Sequence, residues 1–178
     1  MTAPVTAART QLQALAASAG AEQYLTFNLG GEAFAIGILC IKEIIEYGKP
    51  TTVPMMPAFI HGVINLRGAV LPVIDLSARF ARGTSRIGRR SCIVILEVDE
   101  DGVQQDIGVI VDSVNEVVEI PPSDIEPPPA FGAQVRTDYI RGMGRLAARF
   151  VILLDVARVF SMQEMSVLQH FGNPGLAA

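Results

Sequence analysis

Laid over one another at a constant shift of 80, the segments Phe59 to Phe80 and Tyr139 to Phe160 match at Ile60/Ile140, Gly62/Gly142, Leu66/Leu146, Asp75/Asp155 and Phe80/Phe160. Average composition would give roughly one or two such coincidences in a window of this length. A second register, at a shift of 73, sets Phe34, Ile36, Ile38, Ile41, Glu43, Ile44, Ile45 and Glu46 over Ile107, Val109, Val111, Val114, Glu116, Val117, Val118 and Glu119. Both registers run in the same order along the chain, so the fold has to use one supersecondary unit twice. The folded region therefore divides into halves of about 23–82 and about 91–162, each expected to make a small barrel. Residues 1–22 and 169–178 are read as flexible tails.

The local pattern inside each half is that of short strands. Tyr24, Thr26 and Asn28 alternate with Leu25, Phe27 and Leu29 before a Gly30-Gly31 turn, which starts a hairpin. Further β-type runs stand at 34–38, 41–46, 63–66, 70–74, 92–98, 107–111, 114–120 and 150–154, with glycine and proline between them. Brief helices are expected after Asp75 and Asp155, whose carboxylates can cap an N-terminus. Pro121, Pro122, Pro127, Pro128 and Pro129 exclude a central strand from that stretch, because proline donates no backbone hydrogen bond. Arg79, Arg82, Arg86, Arg89 and Arg90 crowd the connection between the halves, which reads as a solvated connector.

Half of the residues are hydrophobic and 18% are charged, enough apolar surface for an ordered core. A net charge of -4 argues against nucleic acid, whose binding needs a basic face. Ala33 to Ile41 is the most apolar run, about half of what a membrane-spanning helix needs, so no membrane insertion is expected. Cys40 and Cys92 read as buried thiols in a reducing cytoplasm.

Reactive chemistry finds little support. No glycine-rich loop ends in the Lys-Ser or Lys-Thr pair that grips a phosphate chain, and neither His61 nor His170 has a neighbour at metal-ligand spacing. No serine sits in a nucleophile turn. Asp75, Asp112 and Asp155 could be imagined as catalytic acids. The equivalence of Asp75 and Asp155, however, marks a structural need common to both halves, which capping satisfies. A small hydrolase and a nucleic-acid-binding barrel are the competing readings that these observations disfavour. No cofactor and no metal are expected.

The run Pro57-Ala58-Phe59-Ile60-His61-Gly62-Val63-Ile64-Asn65-Leu66-Arg67-Gly68, continuing through Val70-Leu71-Pro72-Val73-Ile74-Asp75-Leu76, resembles the signature of the CheW family of chemotaxis coupling proteins. The similarity extends from Tyr24–Leu29 and Ile41-Lys42-Glu43-Ile44 to Tyr139-Ile140-Arg141-Gly142 and Glu164-Met165, covering about 23–168. The resemblance implies an all-β fold of two five-stranded SH3-like barrels over a shared hydrophobic core. It also implies a stand-alone cytoplasmic adaptor, associated with membrane receptor arrays, that joins chemoreceptor cytoplasmic tips to the regulatory domain of a CheA-type histidine kinase. A scaffold of a non-flagellar motility system is the alternative. Carried over by position, the receptor contact would use Ile41, Glu43, Gly62, Arg67, Val114 and Val117; kinase contacts are not assigned. The turn Asn65-Leu66-Arg67-Gly68 differs from its counterpart Arg145-Leu146-Ala147-Ala148, which favours a role specific to Arg67. The N-terminal tail, the arginine linker and Phe171-Gly172-Asn173-Pro174 depart from the family pattern.

Overall fold

The computed structural model describes residues 22–80, 82–100, 102–128 and 137–160. The two tails, Glu164-Met165, His170 and the end of the expected domain lie outside the described residues. Eleven strands run in chain order: β1 (Glu22–Leu29), β2 (Glu32–Gly37), β3 (Ile41–Glu46), β4 (Ile60–Leu66), β5 (Ala69–Asp75), β6 (Cys92–Glu100), β7 (Val103–Val111), β8 (Ser113–Ile120), β9 (Ile125–Glu126), β10 (Ile140–Leu146) and β11 (Arg149–Leu154). Two one-turn helices, α1 (Leu76–Arg79) and α2 (Val156–Val159), follow β5 and β11. Asp75 and Asp155 cap them, accepting hydrogen bonds from the Ala78 and Arg158 amides. No helix among the described residues is long and apolar enough to cross a membrane.

The strands form two sheets, ordered β8-β1-β2-β11-β10-β9 and β3-β6-β7-β5-β4. The expectation that each half of the chain makes its own barrel is overturned by this order. Each sheet takes a hairpin from one half, β1-β2 or β6-β7, and flanks it with strands from the other, four around β1-β2 and three around β6-β7. The exchange is reciprocal in register: β2 meets β11 in parallel at Ala35/Leu153, and β7 meets β5 in parallel at Gly108/Val73, positions related by the repeat. Bulges recur as well, at Ile60/Gly62 in β4 and Ile140/Gly142 in β10. The sixth strand, β9, is a two-residue edge between the prolines, where the missing donors face no neighbour.

Three apolar clusters explain why the arrangement holds. Tyr24, Ala35, Ile120, Val151 and Leu153 form a cluster on the first sheet, and Leu71, Val73, Ile93, Ile95 and Ile110 one on the second. Between the sheets lies a larger shared core, with Leu25, Phe27, Leu29, Phe34, Val94, Leu96, Val109, Phe80 and Phe160 among its members. β1 and β6 are therefore covered on both faces, which is why residues 23–27 and 93–96 are buried without alternation. Phe27, Phe34, Phe80 and Tyr139 form a chain of rings with centroids about 6 Å apart through this core.

Arg79 locks the two halves together. Its Nε and Nη2 donate to the Val159 carbonyl at 3.2 and 3.0 Å, and its guanidinium lies 5.3 and 4.8 Å from the ring centres of Phe59 and Tyr139. Arg79/Val159 and Phe59/Tyr139 are each related by the shift of 80, so this arginine marks the pseudo-twofold axis. Arg82 is also held, against Glu32, with its side chain only 15% exposed. The first two arginines of the connection are thus structural, and the solvated reading fails for them.

Candidate functional site

Glu43 and Arg67 come together from separate elements. Arg67 lies in the β4–β5 turn, where φ is +52° at Arg67 and +87° at Gly68, the signs that a type I′ hairpin turn requires. Asn65 supports the turn by accepting a hydrogen bond from the Gly68 amide at 2.9 Å. A left-handed arginine is strained, and such strain is retained where the surroundings fix it. The turn throws the side chain across to β3, where Nη1 and Nη2 donate to the two Glu43 carboxylate oxygens at 2.7 and 3.2 Å. Arg67 remains 76% exposed. The fork geometry fixes a charged surface feature while leaving further guanidinium donors for a partner.

The second half provides an internal control. Glu116, the counterpart of Glu43, is pinned at a matching bulge, where Thr26 Oγ1 donates to its carbonyl and accepts from its amide. Its side chain has no ion pair among the described residues, because Ala147 stands where Arg67 does. Duplicated packing did not require the Glu43–Arg67 pair, and only the first half has it.

The remaining four positions separate. Ile41 and Val114 are half-buried and pack against the shared core. Gly62 is buried in β4 with the Thr51 carbonyl so close that an added Cβ would lie 2.4 Å from it. Val117 is 41% exposed on β8, paired with Leu25 in the other sheet from Glu43 and Arg67. The structure therefore brings Glu43 and Arg67 into contact, seats Ile41, Val114 and Gly62 as supports, and leaves Val117 as a separate surface residue.

Sequence reasoning missed other exposed apolar positions. Ile44, the repeat counterpart of Val117, is exposed beside Glu43, and Val70 and Phe150, related by the shift of 80, are exposed just beyond the two equivalent turns. Arg145 stacks 5.8 Å from the Phe150 ring centre and pairs with Glu126. The repeat alignment itself held the signal, since both pairs are matched apolar positions. Nothing in strand alternation distinguished them from core residues.

His61 and Tyr47 join through His61 Nε2 and the phenol oxygen at 2.9 Å, a tie between β4 and the end of β3. Burial pushes the Cys40 thiol up to about 11, and its Sγ donates to the Gly37 carbonyl, so it is an inert group at neutral pH. No group of three or more His, Cys, Asp or Glu side chains among the described residues is placed to hold a metal ion.

These features define a protein of two interlocked β lobes whose surface carries an ion pair at one turn and exposed apolar side chains at repeated positions. The chain belongs to the CheW-like domain family, whose model matches residues 23–164. It is 33% identical over 156 residues to a chemotaxis protein CheW of Klebsiella aerogenes, covering 88% of this chain and 92% of that protein. It is 38% identical over 143 residues to the chemotaxis protein CheW of Bacillus subtilis, covering 80% and 88%. Among solved structures, the CheW scaffolding protein of Thermoanaerobacter tengcongensis superposes with a TM-score of 0.71 at 33% identity, covering 81% of this chain and 90% of that one.

Proposed function

We propose that this protein is a non-catalytic chemotaxis adaptor that couples chemoreceptors to a histidine kinase at the cytoplasmic side of a receptor array. Two supports are independent of each other. Its relatives carry the chemotaxis and scaffolding names. The chain also exposes apolar side chains at equivalent places in both halves, Ile44/Val117 and Val70/Phe150, which a lone monomer has no reason to repeat. The observation that carries the reading is the Glu43–Arg67 pair, present in one half and absent from the other.

In this reading the receptor's helical hairpin tip docks at the exposed Glu43–Arg67 pair, with Val117 as a second contact on the other sheet and Ile41, Gly62 and Val114 beneath the surface. An amphipathic helix would place its apolar face on exposed aliphatic side chains such as Ile44 beside Glu43, while the Arg67 fork fixes its register. Ile41, Val114 and Gly62 act by holding β3, β8 and β4 in place. Phe150 with Arg145 suits the kinase's regulatory domain, since an exposed aromatic ring and an arginine are the side chains that most often dominate protein interfaces.

The test is Arg67→Ala, with Glu43→Ala and the double variant to complete a cycle. The pair is solvent-exposed, so each single variant should lose no more than about 1 kcal/mol of stability. Retention of a receptor cytoplasmic fragment in a pull-down should fall about tenfold or more, with kinase control lost in parallel. Undiminished receptor binding together with intact kinase control would remove Arg67 from the site.

A further inference from the structure

The two smaller apolar clusters are not filled alike. Leu25 opposes Val117 and Val94 opposes Ile44, and Val117 and Ile44 are repeat counterparts, so β1 lies over β6 at a shift of 69. That register makes Tyr24 the counterpart of Ile93. Each is buried in the cluster of its own sheet, Tyr24 with Val151 and Leu153, and Ile93 with the matching Leu71 and Val73. In the first lobe a phenol ring takes up this place, and its hydroxyl donates to the Glu22 carboxylate at 2.9 Å. In the second lobe the smaller isoleucine leaves it without a ring. Tyr47 does not compensate. It stands at the position of Ile120, and its phenol oxygen is engaged by His61 Nε2 at 2.9 Å.

Beside Ile93 lies an open cleft of about 320 Å³ between β3 and β4, the two edge strands of the second sheet, which do not pair with each other. Ile93 is fully buried at its base, and the half-buried Ile45, Ile64 and Leu66 wall it. Glu46 and Lys49 stand at its rim, both exposed and neither with an ion-pair partner among the described residues. An apolar cleft with a few polar groups at its edge has the form of a small-ligand site, and its volume is near the lower end of the roughly 300–1,000 Å³ common to such sites. That limits the occupant to one ring with a short polar group. The rim adds a second condition, since free charges of opposite sign are complemented by a zwitterion.

We propose that this cleft binds a free aromatic α-amino acid, with its ring against Ile93, its ammonium group at Glu46 and its carboxylate at Lys49. The first lobe shows that an aromatic ring fits between these repeat-related walls, because Tyr24 packs there with Val118 and Leu146, the counterparts of Ile45 and Leu66. An aliphatic amino acid would meet the rim and leave the base unfilled. A phosphate-bearing ligand matches poorly, because the Glu46 carboxylate would repel it. The inference goes beyond the coupling reading and does not rest on it.

Titration of L-phenylalanine into the full chain, followed through the methyl NMR signals of Ile64, Leu66 and Ile93, tests the proposal. The binding efficiency usual for small ligands gives a Kd of about 2 mM for a molecule of this size. L-Alanine, which has the charged head without the ring, and p-cresol, which has the ring without the head, should both bind more weakly. Glu46→Gln and Lys49→Gln alter only exposed side chains and should each weaken binding about two- to fivefold. Ile93→Tyr gives the second lobe the ring that the first already has and should abolish binding. Absence of a saturable shift up to about 20 mM L-phenylalanine, tenfold above the expected Kd, overturns the proposal. So does p-cresol or L-alanine binding as tightly as L-phenylalanine, unchanged binding by both rim variants, or an Ile93→Tyr protein that keeps the wild-type circular dichroism and still binds. Should Ile93→Tyr fail to fold, the rim variants and the comparison of ring with head decide the matter. Receptor retention by the Arg67 variants is read in a separate assay, so failure of either reading is told apart from failure of the other.

Discussion

Replacing Gly62 by alanine should unsettle the first lobe far more than its single added methyl suggests. A Cβ there would stand 2.4 Å from the Thr51 carbonyl oxygen and 3.0 Å from Pro50 Cβ. Carbon and carbonyl oxygen tolerate contact only down to about 3.3 Å, so the 50–51 backbone would have to retreat by about 0.9 Å. That segment is tied to β4 by two hydrogen bonds, Thr51 amide to Val63 carbonyl and Val63 amide to Thr51 carbonyl, each 2.9 Å. Losing both costs about 0.5–1.5 kcal/mol apiece, and residual overpacking about 1–3 kcal/mol, giving a total of ~2–6 kcal/mol. For a chain of this size the melting temperature should fall by roughly 4–24 °C. Gly37→Ala is the control, because nothing lies within 4 Å of its added Cβ. It should be neutral or slightly stabilising, through the reduced freedom of the unfolded chain. Thermal and urea unfolding followed by circular dichroism would measure both. A Gly62→Ala loss below about 1 kcal/mol, or an equal loss in Gly37→Ala, would refute the steric reasoning.

Two further outcomes follow from repeat-related or buried groups. Asp75 is 1% exposed and accepts from Ser85 twice as well as from Ala78, whereas Asp155 caps α2 near the surface. Asp75→Ala should therefore cost about 2–4 kcal/mol in urea denaturation and Asp155→Ala about 1 kcal/mol, and equal losses would contradict the buried network. With the Cys40 thiol raised by burial to about 11 from an ordinary value of 9.0, its alkylation at pH 8 should run about 100-fold slower in the native protein than in the unfolded chain, while comparable rates would deny the burial. The linked stability has a definite sign: the folded state favours the protonated thiol, so its contribution is complete below pH 9 and declines as pH rises towards about 11.

Much of the fold was legible because burial leaves a period in the sequence. Tyr24 to Leu29, Ile41 to Glu46 and Val114 to Ile120 alternate or run apolar as strands must, and Asp75 and Asp155 stand where helices need caps. The candidate site was legible only in part. Glu43 and Arg67 could be named from family resemblance, but their bidentate contact depends on the left-handed turn at Arg67. The repeat aligned Ile44 with Val117 and Val70 with Phe150, but not their exposure, because an exposed and a buried apolar residue look alike in a list of residues.

The sequence alone determined that one β unit occurs twice, where its strands and caps lie, and which segments supply the apolar side chains of a core. Only the tertiary structure decided which strands pair, exchanging the β1-β2 and β6-β7 hairpins between the halves. The physical reason is that apolar periodicity encodes which face of a strand is buried, whereas pairing joins backbone amides and carbonyls that every residue except proline carries alike. Partner choice is settled by the cores the assembled sheets enclose, and those exist only once both halves are present.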